Sequence, residues 1–381
     1  MLSSLQHLEC KIGRFLDQAN NGKPVILYGA GAAMPSILDK LKDYGFNIAG
    51  ICDSNPDKQG TRFRDTYDIF GLDDALAGFP DATFVISTPI YFDEIYGELV
   101  RKTDPDRVCD LDLECTRFFK PYELRDFVTR HQRRLEALLA RLADEESRDT
   151  LMNVIRAHLT GERKDFQRAG TGKDDWYLFR SLLAPPAEAV YLDCGAYNGD
   201  TVRLFIDTAT KGYKRVYAFE PDSAMRERLR DMARADPRIE LIEKGVFRDE
   251  GSVSFCSDGV FSAIAAEEHA GPAVSIPVTT IDAVLKGQRA DIIKMDIEGA
   301  EFDALHGAEQ IIRAHKPKLA ICLYHKVEDM LRIPELVLEY VPDYKLYIRH
   351  QSDTYTDTIL FAVAEEGMVG GTGIEPVTPR V

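Results

Sequence analysis

The sequence lacks any apolar run that approaches the ~20 residues needed to cross the hydrocarbon core of a bilayer. Residues 1–16 space their apolar side chains, from Leu5 to Leu16, at helical intervals and lack the continuous hydrophobic stretch of a signal peptide. We therefore expect an amphipathic helix at the start of the chain and no membrane span.

Cysteine pairs with the C-x-x-C spacing are also absent. The seven cysteines are Cys10, Cys52, Cys109, Cys115, Cys194, Cys256 and Cys322. Three of them, Cys52, Cys194 and Cys322, lie inside or at the ends of apolar runs, as small buried side chains do. This pattern disfavours a disulfide framework and a structural zinc site, and it predicts a cytoplasmic protein in a reducing compartment.

Positive charge is in short supply. Lys and Arg total 47 against 63 Asp and Glu, which gives a net charge of −16. An acidic surface repels phosphate backbones and anionic lipid, so we expect neither nucleic acid nor a membrane surface as a partner. The 381 residues are 45% apolar and 29% charged, which predicts two or three folded domains at ~150 residues each.

The first part of the chain alternates short apolar runs with helical patterns, as βα units around a parallel sheet do. Its predicted strands are Pro24–Tyr28, Phe46–Cys52 and Ala82–Ser87. We assign residues 1–118 to a small Rossmann-like domain. Residues 119–183 carry mainly helical spacing and predict a helical connector, which leaves room for a homodimer contact, with a polar loop over Gly161–Asp175.

Residues 184–364 resume the strand–helix alternation. The predicted strands are Ala189–Cys194, Arg215–Phe219, Ile239–Ile242, Asp291–Met295, Lys318–Tyr324, Tyr344–Ile348 and Thr358–Val363. Helical patterns are expected between the first five. The last two are too close for a crossover helix, so they predict an antiparallel edge pair. The tail, residues 365–381, is rich in Gly and Pro and predicts disorder.

A glycine turn follows the first of these strands. Asp193 ends the strand, and the turn reads Gly195-Ala196-Tyr197-Asn198-Gly199 before a helix predicted from Thr201. Glycine lets a ligand approach the backbone, and a helix N-terminus presents N–H groups. The turn lacks the G-x-G-x-x-G spacing of dinucleotide folds, and the carboxylates of Asp193 and Asp200 suit a cationic ligand better than a diphosphate.

Acidic residues also end the second and fourth strands. Glu220 follows Gly199 by 21 residues, the spacing at which a carboxylate accepts hydrogen bonds from two ribose hydroxyls. Asp296 and Glu298 follow the fourth strand, and His325 follows the fifth. These three are the candidate catalytic residues, because each could act as a general base. His325 could accept a proton on its imidazole near neutral pH, and Asp296 or Glu298 could accept one on its carboxylate. They are also oxygen and nitrogen donors, but we assign no metal.

Three segments together resemble an FkbM-type S-adenosylmethionine-dependent methyltransferase: Asp193–Thr201, Phe219–Pro221 and Lys294–Glu301. The resemblance covers roughly residues 176–363. It implies an α/β fold, the class I (Rossmann-like, seven-stranded) methyltransferase domain, preceded here by a smaller Rossmann-like domain and a helical connector. It also implies methyl transfer to a hydroxyl of a sugar, a polysaccharide precursor or a secondary metabolite.

The same resemblance implies roles for single residues. Asp193, Gly195 and Gly199 would hold the methionine part of S-adenosylmethionine, and Glu220 would hold the ribose. The remaining residues predicted at the cofactor are Tyr197, Asn198, Asp200 and Thr201 in the turn, Lys244 and Gly245 beside the adenine, and Asp296 beside the sulfonium and the acceptor.

The N-terminal part carries half of a dinucleotide fingerprint. Gly29 and Gly31 form G-x-G, Met34 stands where a third glycine belongs, and Asp53 ends the next strand. The run from Asp53 to Gly60 resembles the N-terminal domain of PglD-type sugar acyltransferases, which implies a nucleotide-sugar ligand for Gly29, Gly31 and Asp53.

Three functions fit these residues. The first is an O-methyltransferase whose N-terminal domain presents a small-molecule or glycan acceptor, or a nucleotide-sugar. The second is a nicotinamide-dependent oxidoreductase or epimerase run by the N-terminal domain, which the missing third glycine disfavours. The third is a non-catalytic binding module.

Overall fold

The computed structural model describes residues 22–31, 34–43, 45–88, 91–109, 121–170, 175–178, 180–258, 261–264 and 273–364, together with residues 5 and 8. The amphipathic helix predicted over residues 1–16 and the tail predicted over residues 365–381 lie outside the described residues. The chain forms two compact units. The first comprises Met1–Trp176, Cys322–Leu331 and Ile348–Ile359, and the second comprises Tyr177–Ile321, Arg332–Tyr347 and Leu360–Val381.

The first unit contains a six-stranded sheet in the order β3-β4-β2-β1-β5-β6. Its strands are β1 (Val25–Tyr28), β2 (Ile48–Cys52), β3 (Arg62–Phe63), β4 (Tyr67–Phe70), β5 (Thr83–Ile86) and β6 (Val108–Cys109). Its helices are α1 (Met34–Asp43), α2 (Leu72–Gly78) and α3 (Phe92–Lys102). The three predicted strands are confirmed as β1, β2 and β5, while the short β3, β4 and β6 were not predicted.

Strand β1 shows why its sequence is continuously apolar. Val25 and Leu27 face one buried cluster, and Ile26 and Tyr28 face another. Successive side chains of a strand point to opposite faces, so a strand covered on both faces must be apolar throughout. It pairs in parallel with β2 and β5, as predicted for βα units.

Four helices follow in the first unit: α4 (Pro121–Arg130), α5 (Gln132–Arg141), α6 (Glu145–Thr160) and α7 (Arg163–Ala169). Helix α6 begins where the Asp144 carboxylate accepts the Ser147 N–H at 2.8 Å, and it ends at Gly161 with φ of 76°. The loop predicted over Gly161–Asp175 is wrong for α7. Phe166 is fully buried in the cluster around Val25, and this packing stabilises a helix in a polar stretch.

A seven-stranded sheet follows in the order β16-β17-β15-β14-β7-β8-β9. Its strands are β7 (Ala189–Cys194), β8 (Tyr213–Phe219), β9 (Ile239–Ile242), β14 (Ile292–Met295), β15 (Lys318–Cys322), β16 (Tyr344–His350) and β17 (Thr358–Ala364). Parallel pairs join β7 to β8 and β14, β8 to β9, and β14 to β15. All seven predicted strands are confirmed. Because β16 and β17 are neighbours joined by only residues 351–357, they run antiparallel, as predicted.

The helices of this part are α8 (Asp200–Thr208), α9 (Arg226–Ala235), α10 (Ile281–Leu285), α11 (Glu301–His306), α12 (Glu309–His315) and α13 (Asp329–Tyr340). The helical expectation between the third and fourth predicted strands is wrong for most of that segment. A four-stranded sheet, in the order β10-β13-β11-β12, lies there instead. Its strands are β10 (Gly245–Val246), β11 (Gly251–Asp258), β12 (Phe261–Ile264) and β13 (Ala273–Thr279).

Two further expectations from the sequence, one on membrane spans and one on cysteine burial, can be compared with the described residues. Within them, every helix falls short of the length or the apolar character that a bilayer crossing requires. Cys52, Cys194 and Cys322 are fully buried, as their apolar neighbours predicted.

Candidate functional site

The glycine turn, residues 195–199, leaves the carboxyl end of β7 between two close packing contacts. Gly195 has φ of 81°, and a Cβ there would lie 1.9 Å from the backbone oxygen of Asp296. Gly199 has φ of 84°, and its Cβ would lie 2.7 Å from the sulfur of Met232. Both positions require glycine, because an L side chain rarely adopts this φ and has no room. The turn therefore packs against the ends of β14 and α9.

Asp193 is the next-to-last residue of β7, beneath this turn, and is 0% exposed. Its carboxylate accepts the Thr201 hydroxyl at 2.5 Å and forms an ion pair with Lys294 at 3.1 Å. Burial raises the pKa of Asp193, while the charge of Lys294 and the Thr201 hydrogen bond act against that rise. The carboxylate predicted to hold a methionine moiety is thus engaged with protein groups, and it ties β7 to the first turn of α8.

Lys294 was not assigned a role from the sequence, although a lysine inside an apolar strand is a visible signal. It is 2% exposed on β14, and its ammonium donates to the Gly195 carbonyl at 2.7 Å as well as pairing with Asp193. The ammonium also lies 5.5 Å from the centroid of the Tyr177 ring. Lys294 therefore contacts the end of β7, the glycine turn and the segment that contains Tyr177.

Tyr177 is the second residue that sequence reasoning missed. It is 2% exposed, has φ of 54°, and donates its hydroxyl to Oδ2 of Asp296 at 3.1 Å. A bulky residue in this left-handed region is uncommon and is held there by surrounding contacts. Nothing in the polar sequence before it indicated that contact.

Glu220 follows β8 and is 7% exposed. One carboxylate oxygen accepts the Tyr197 N–H at 2.8 Å, and the other accepts the Asp222 N–H at 2.8 Å. Burial raises the pKa of Glu220 to about 7, against these two backbone donors. Because Tyr197 belongs to the glycine turn, the structure brings the predicted ribose carboxylate and the predicted turn into direct contact.

The other predicted cofactor residues lie around this contact. In the turn, Asn198 has a buried Oδ1 that finds no hydrogen-bond partner among the described residues. Asp200 is exposed at the start of α8, where its carboxylate accepts the Thr201 N–H at 2.7 Å. Beyond β9, Lys244 is exposed, and a Cβ on Gly245 would lie 3.9 Å from Pro221. The segment predicted to border an adenine thus comes beside the residue that follows Glu220.

Asp296 and Glu298 lie in the acidic turn, residues 296–300, at the carboxyl end of β14. Both are half-buried, and Glu298 has φ of 56°. The turn is held from α11, since the fully buried Glu301 accepts the Ile297 N–H at 2.8 Å. Glu301 ends the sequence motif Lys294–Glu301 and had no predicted role, and the structure makes it the support of this turn.

His325 follows β15 and is 5% exposed, with its ring 4.1 Å from the ring of Tyr324 between centroids. Both residues belong to the first unit, whereas Asp296 and Glu298 belong to the second. The roles of all three candidate catalytic residues stay predictions.

The residues predicted to bind a ligand in the N-terminal part lie on the first sheet. Asp53 accepts the Ala30 N–H at 2.7 Å and the Asn55 N–H at 2.9 Å, and Lys58 lies 3.1 Å from its carboxylate. Burial acts to raise the pKa of Asp53, but these backbone donors and Lys58 outweigh it and lower the pKa. Gly29 has φ of 110°, and a Cβ on Gly31 would meet no atom of the described residues within 4 Å.

The family match covers only the C-terminal part of the chain. Residues 193–352 match the family model described as the Methyltransferase FkbM domain. This range contains the glycine turn, Glu220 and the acidic turn. No curated protein sequence matches. The resemblance of the N-terminal part to PglD-type acyltransferases stays a prediction.

Solved structures give the fold. Methyltransferase FkbM from Methylobacillus flagellatus KT is 22% identical, covers 94% of each chain and has a TM-score of 0.73. A putative methyltransferase from Streptococcus mutans in complex with SAH is 12% identical over 50% of this chain and 97% of that one, with a TM-score of 0.31. Fibrillarin from Aeropyrum pernix, with natively bound S-adenosyl-L-methionine, is 11% identical over 48% and 69%, also at 0.31. The first match confirms the predicted α/β fold class; the other two scores are too low to add to it.

Proposed function

Because residues 193–352 match the Methyltransferase FkbM domain model, we propose that the protein is an S-adenosylmethionine-dependent O-methyltransferase. Its acceptor is a hydroxyl of a sugar, a polysaccharide precursor or a secondary metabolite. The observation that carries the proposal is Glu220, a buried carboxylate at the end of β8 that also holds the glycine turn through the Tyr197 N–H. Ligands of open α/β sheets bind outside the carboxyl ends of the strands, which is where these residues meet.

The residues present fit the cofactor. Each oxygen of Glu220 accepts one backbone N–H, and a carboxylate oxygen has capacity for a second donor, so both can also accept a ribose hydroxyl. The buried Oδ1 of Asn198 has no hydrogen-bond partner among the described residues, and a ligand donor would satisfy it. S-adenosylmethionine, when bound, supplies an electrophilic methyl group on a sulfonium.

The acidic turn supplies the proton acceptor. Asp296 is half-buried, and the Tyr177 hydroxyl orients its carboxylate. A carboxylate held in this way can accept the proton of an acceptor hydroxyl, and alignment of donor and acceptor supplies much of the rate. Glu298 in the same turn and His325 are the other candidates for the base.

Calorimetry tests the proposal. S-adenosylmethionine should bind the intact protein, and Glu220→Ala should weaken binding at least tenfold, since it removes both ribose contacts. Asp231→Ala is the matched control, because Asp231 is an exposed acid in an ion pair with Arg234 and lies outside the predicted cofactor residues. Absent binding by the intact protein, or unchanged binding by Glu220→Ala, contradicts the proposal. Mass spectrometry of products from hydroxylated sugars then tests the acceptor class.

The first unit is proposed to hold the acceptor or a nucleotide-sugar. Support comes from Gly31, which leaves open space beside the G-x-G turn, and from Lys58, which donates to the Ala30 carbonyl at 3.0 Å. Calorimetry with uridine diphosphate N-acetylglucosamine should show binding that Lys58→Met weakens. Binding of NADH instead, detected by its fluorescence, supports the oxidoreductase alternative.

A further inference from the structure

The buried ion pair beneath the glycine turn is more than the fold needs. Lys294 and Asp193 are 2% and 0% exposed, and their nearest charged atoms are 3.1 Å apart. Removing two such charges from water is costly, and a buried ion pair commonly adds no stability over apolar side chains of similar size. Ile292, which precedes Lys294 by two residues and shares its face of β14, is a fully buried apolar residue, so the strand also carries an apolar side chain on this face.

The contacts of Lys294 point toward the glycine turn. Its ammonium donates to the Gly195 carbonyl at 2.7 Å, which is the first residue of the turn. Its partner Asp193 accepts the Thr201 hydroxyl at 2.5 Å, just beyond the other end of the turn. One charged pair therefore holds the backbone on both sides of residues 195–199.

The opposite side of the turn is held independently. The Tyr197 N–H donates to Glu220 on β8, at 2.8 Å. Lys294 and Glu220 thus fix different parts of one turn, the first at Gly195 and the second at Tyr197. The FkbM resemblance implies that Gly195 holds the methionine moiety and that Glu220 holds the ribose, so these two parts of the turn would serve different halves of the cofactor.

We propose that Lys294 is a positioning residue for the methionine half of S-adenosylmethionine, acting through the Gly195 carbonyl and the Asp193 carboxylate. It does not touch the cofactor. Its effect on the adenosine half is the charge that lowers the pKa of Glu220, so the ligands below are compared at pH 9, where that carboxyl is ionised. This inference rests on the proposed function. It adds a residue whose replacement should weaken binding of the methionine half of the ligand and leave binding of the adenosine half unchanged.

Two ligands allow binding of the methionine half and binding of the adenosine half to be measured separately in the intact protein. S-adenosylhomocysteine carries both the adenosine and the amino-acid part, whereas 5′-methylthioadenosine carries the adenosine alone. Calorimetry should show that Lys294→Met weakens S-adenosylhomocysteine at least tenfold and changes 5′-methylthioadenosine by less than twofold. Glu220→Ala should weaken both ligands. The control is Lys318→Met, because Lys318 starts the neighbouring strand β15 and donates to the Ala184 carbonyl from an exposed position.

A second variant keeps the test decisive if Lys294→Met folds poorly. The double change of Lys294→Met with Asp193→Asn removes both charges, so no unpaired carboxylate remains buried. It should regain a cooperative thermal transition and still bind S-adenosylhomocysteine at least tenfold more weakly. Equal losses for both ligands, or no loss for either, overturn the proposal. Failure of the unchanged protein to bind either ligand would instead refute the proposed function.

Discussion

In the proposed function, the buried carboxyl of Glu220 should make cofactor binding depend on pH near neutrality. Burial raises its pKa to about 7 in the unliganded protein. Ribose hydroxyls donate hydrogen bonds, so they favour the ionised carboxylate. Affinity should therefore rise as the pH increases through 7, and protonation should weaken it as the pH falls.

The size of the effect follows from the ionised fraction. With a pKa of about 7, roughly one Glu220 in eleven is ionised at pH 6 and roughly ten in eleven at pH 8. The dissociation constant should therefore be about tenfold larger at pH 6, which corresponds to ~1.4 kcal/mol. A pKa at the ordinary glutamate value would give almost no change over this range.

Calorimetry with 5′-methylthioadenosine at pH 6, 7 and 8 measures this directly. The ligand keeps the ribose and has no group that titrates in this range, so any slope belongs to the protein. Glu220→Gln should bind with an affinity that is the same at all three values, because an amide does not ionise. Equal dissociation constants for the unchanged protein at pH 6 and pH 8, or the same slope in Glu220→Gln, would refute the reasoning.

Other predictions concern stability. Gly195→Ala places a residue with φ of 81° and a Cβ 1.9 Å from a backbone oxygen, so it should destabilise the fold by at least about 2 kcal/mol in urea unfolding. Gly31→Ala, which meets nothing within 4 Å, should change it by less than about 0.5 kcal/mol, and equal effects would contradict the packing argument. Asp144→Asn weakens the helix cap and the contact with Arg349 at 2.6 Å, and should cost about 1 kcal/mol at pH 7. Burial acts to raise the pKa of Asp144, but hydrogen bonds from Arg349 and Ser147 lower it from 3.8 to about 2. The ionic part of its stabilisation is therefore present above pH 3.8 and lost as the pH falls through 2, so the stability difference from Asp144→Asn should shrink in that window; a constant difference would contradict it.

The acidic residues at strand ends show which features of the site could be predicted from local sequence patterns. Glu220 and Asp296 were placed at the carboxyl ends of the correct strands, because a buried strand is readable from its apolar run and its end from the first polar residues. The contact between Glu220 and the Tyr197 N–H was not readable. It joins residues 23 positions apart, and only the parallel pairing of β7 with β8 brings them together.

The four-stranded sheet shows where the local pattern fails. Strand β11 pairs along its length with β13, and Gly251 lies opposite Val278. The residues of β13 that pair with β11 lie 17 to 27 positions further along the chain, so local helical spacing gave the wrong prediction. Helix α7 is the reverse case, in which the burial of Phe166 imposes helix on a stretch whose composition indicated a loop.

The parallel α/β sheets, the glycine turn and the order of acidic strand ends could all be predicted from the sequence, because they depend on periodicity and on residues adjacent in the chain. The contacts of Asp193 with Lys294 and Thr201, and of Tyr177 with Asp296, are visible only in the folded chain. The longest of these contacts join residues that are far apart in the sequence. Lys294 lies 99 residues from Gly195 and Tyr177 lies 119 from Asp296, and no periodicity encodes a contact that depends on how separate strands and loops pack.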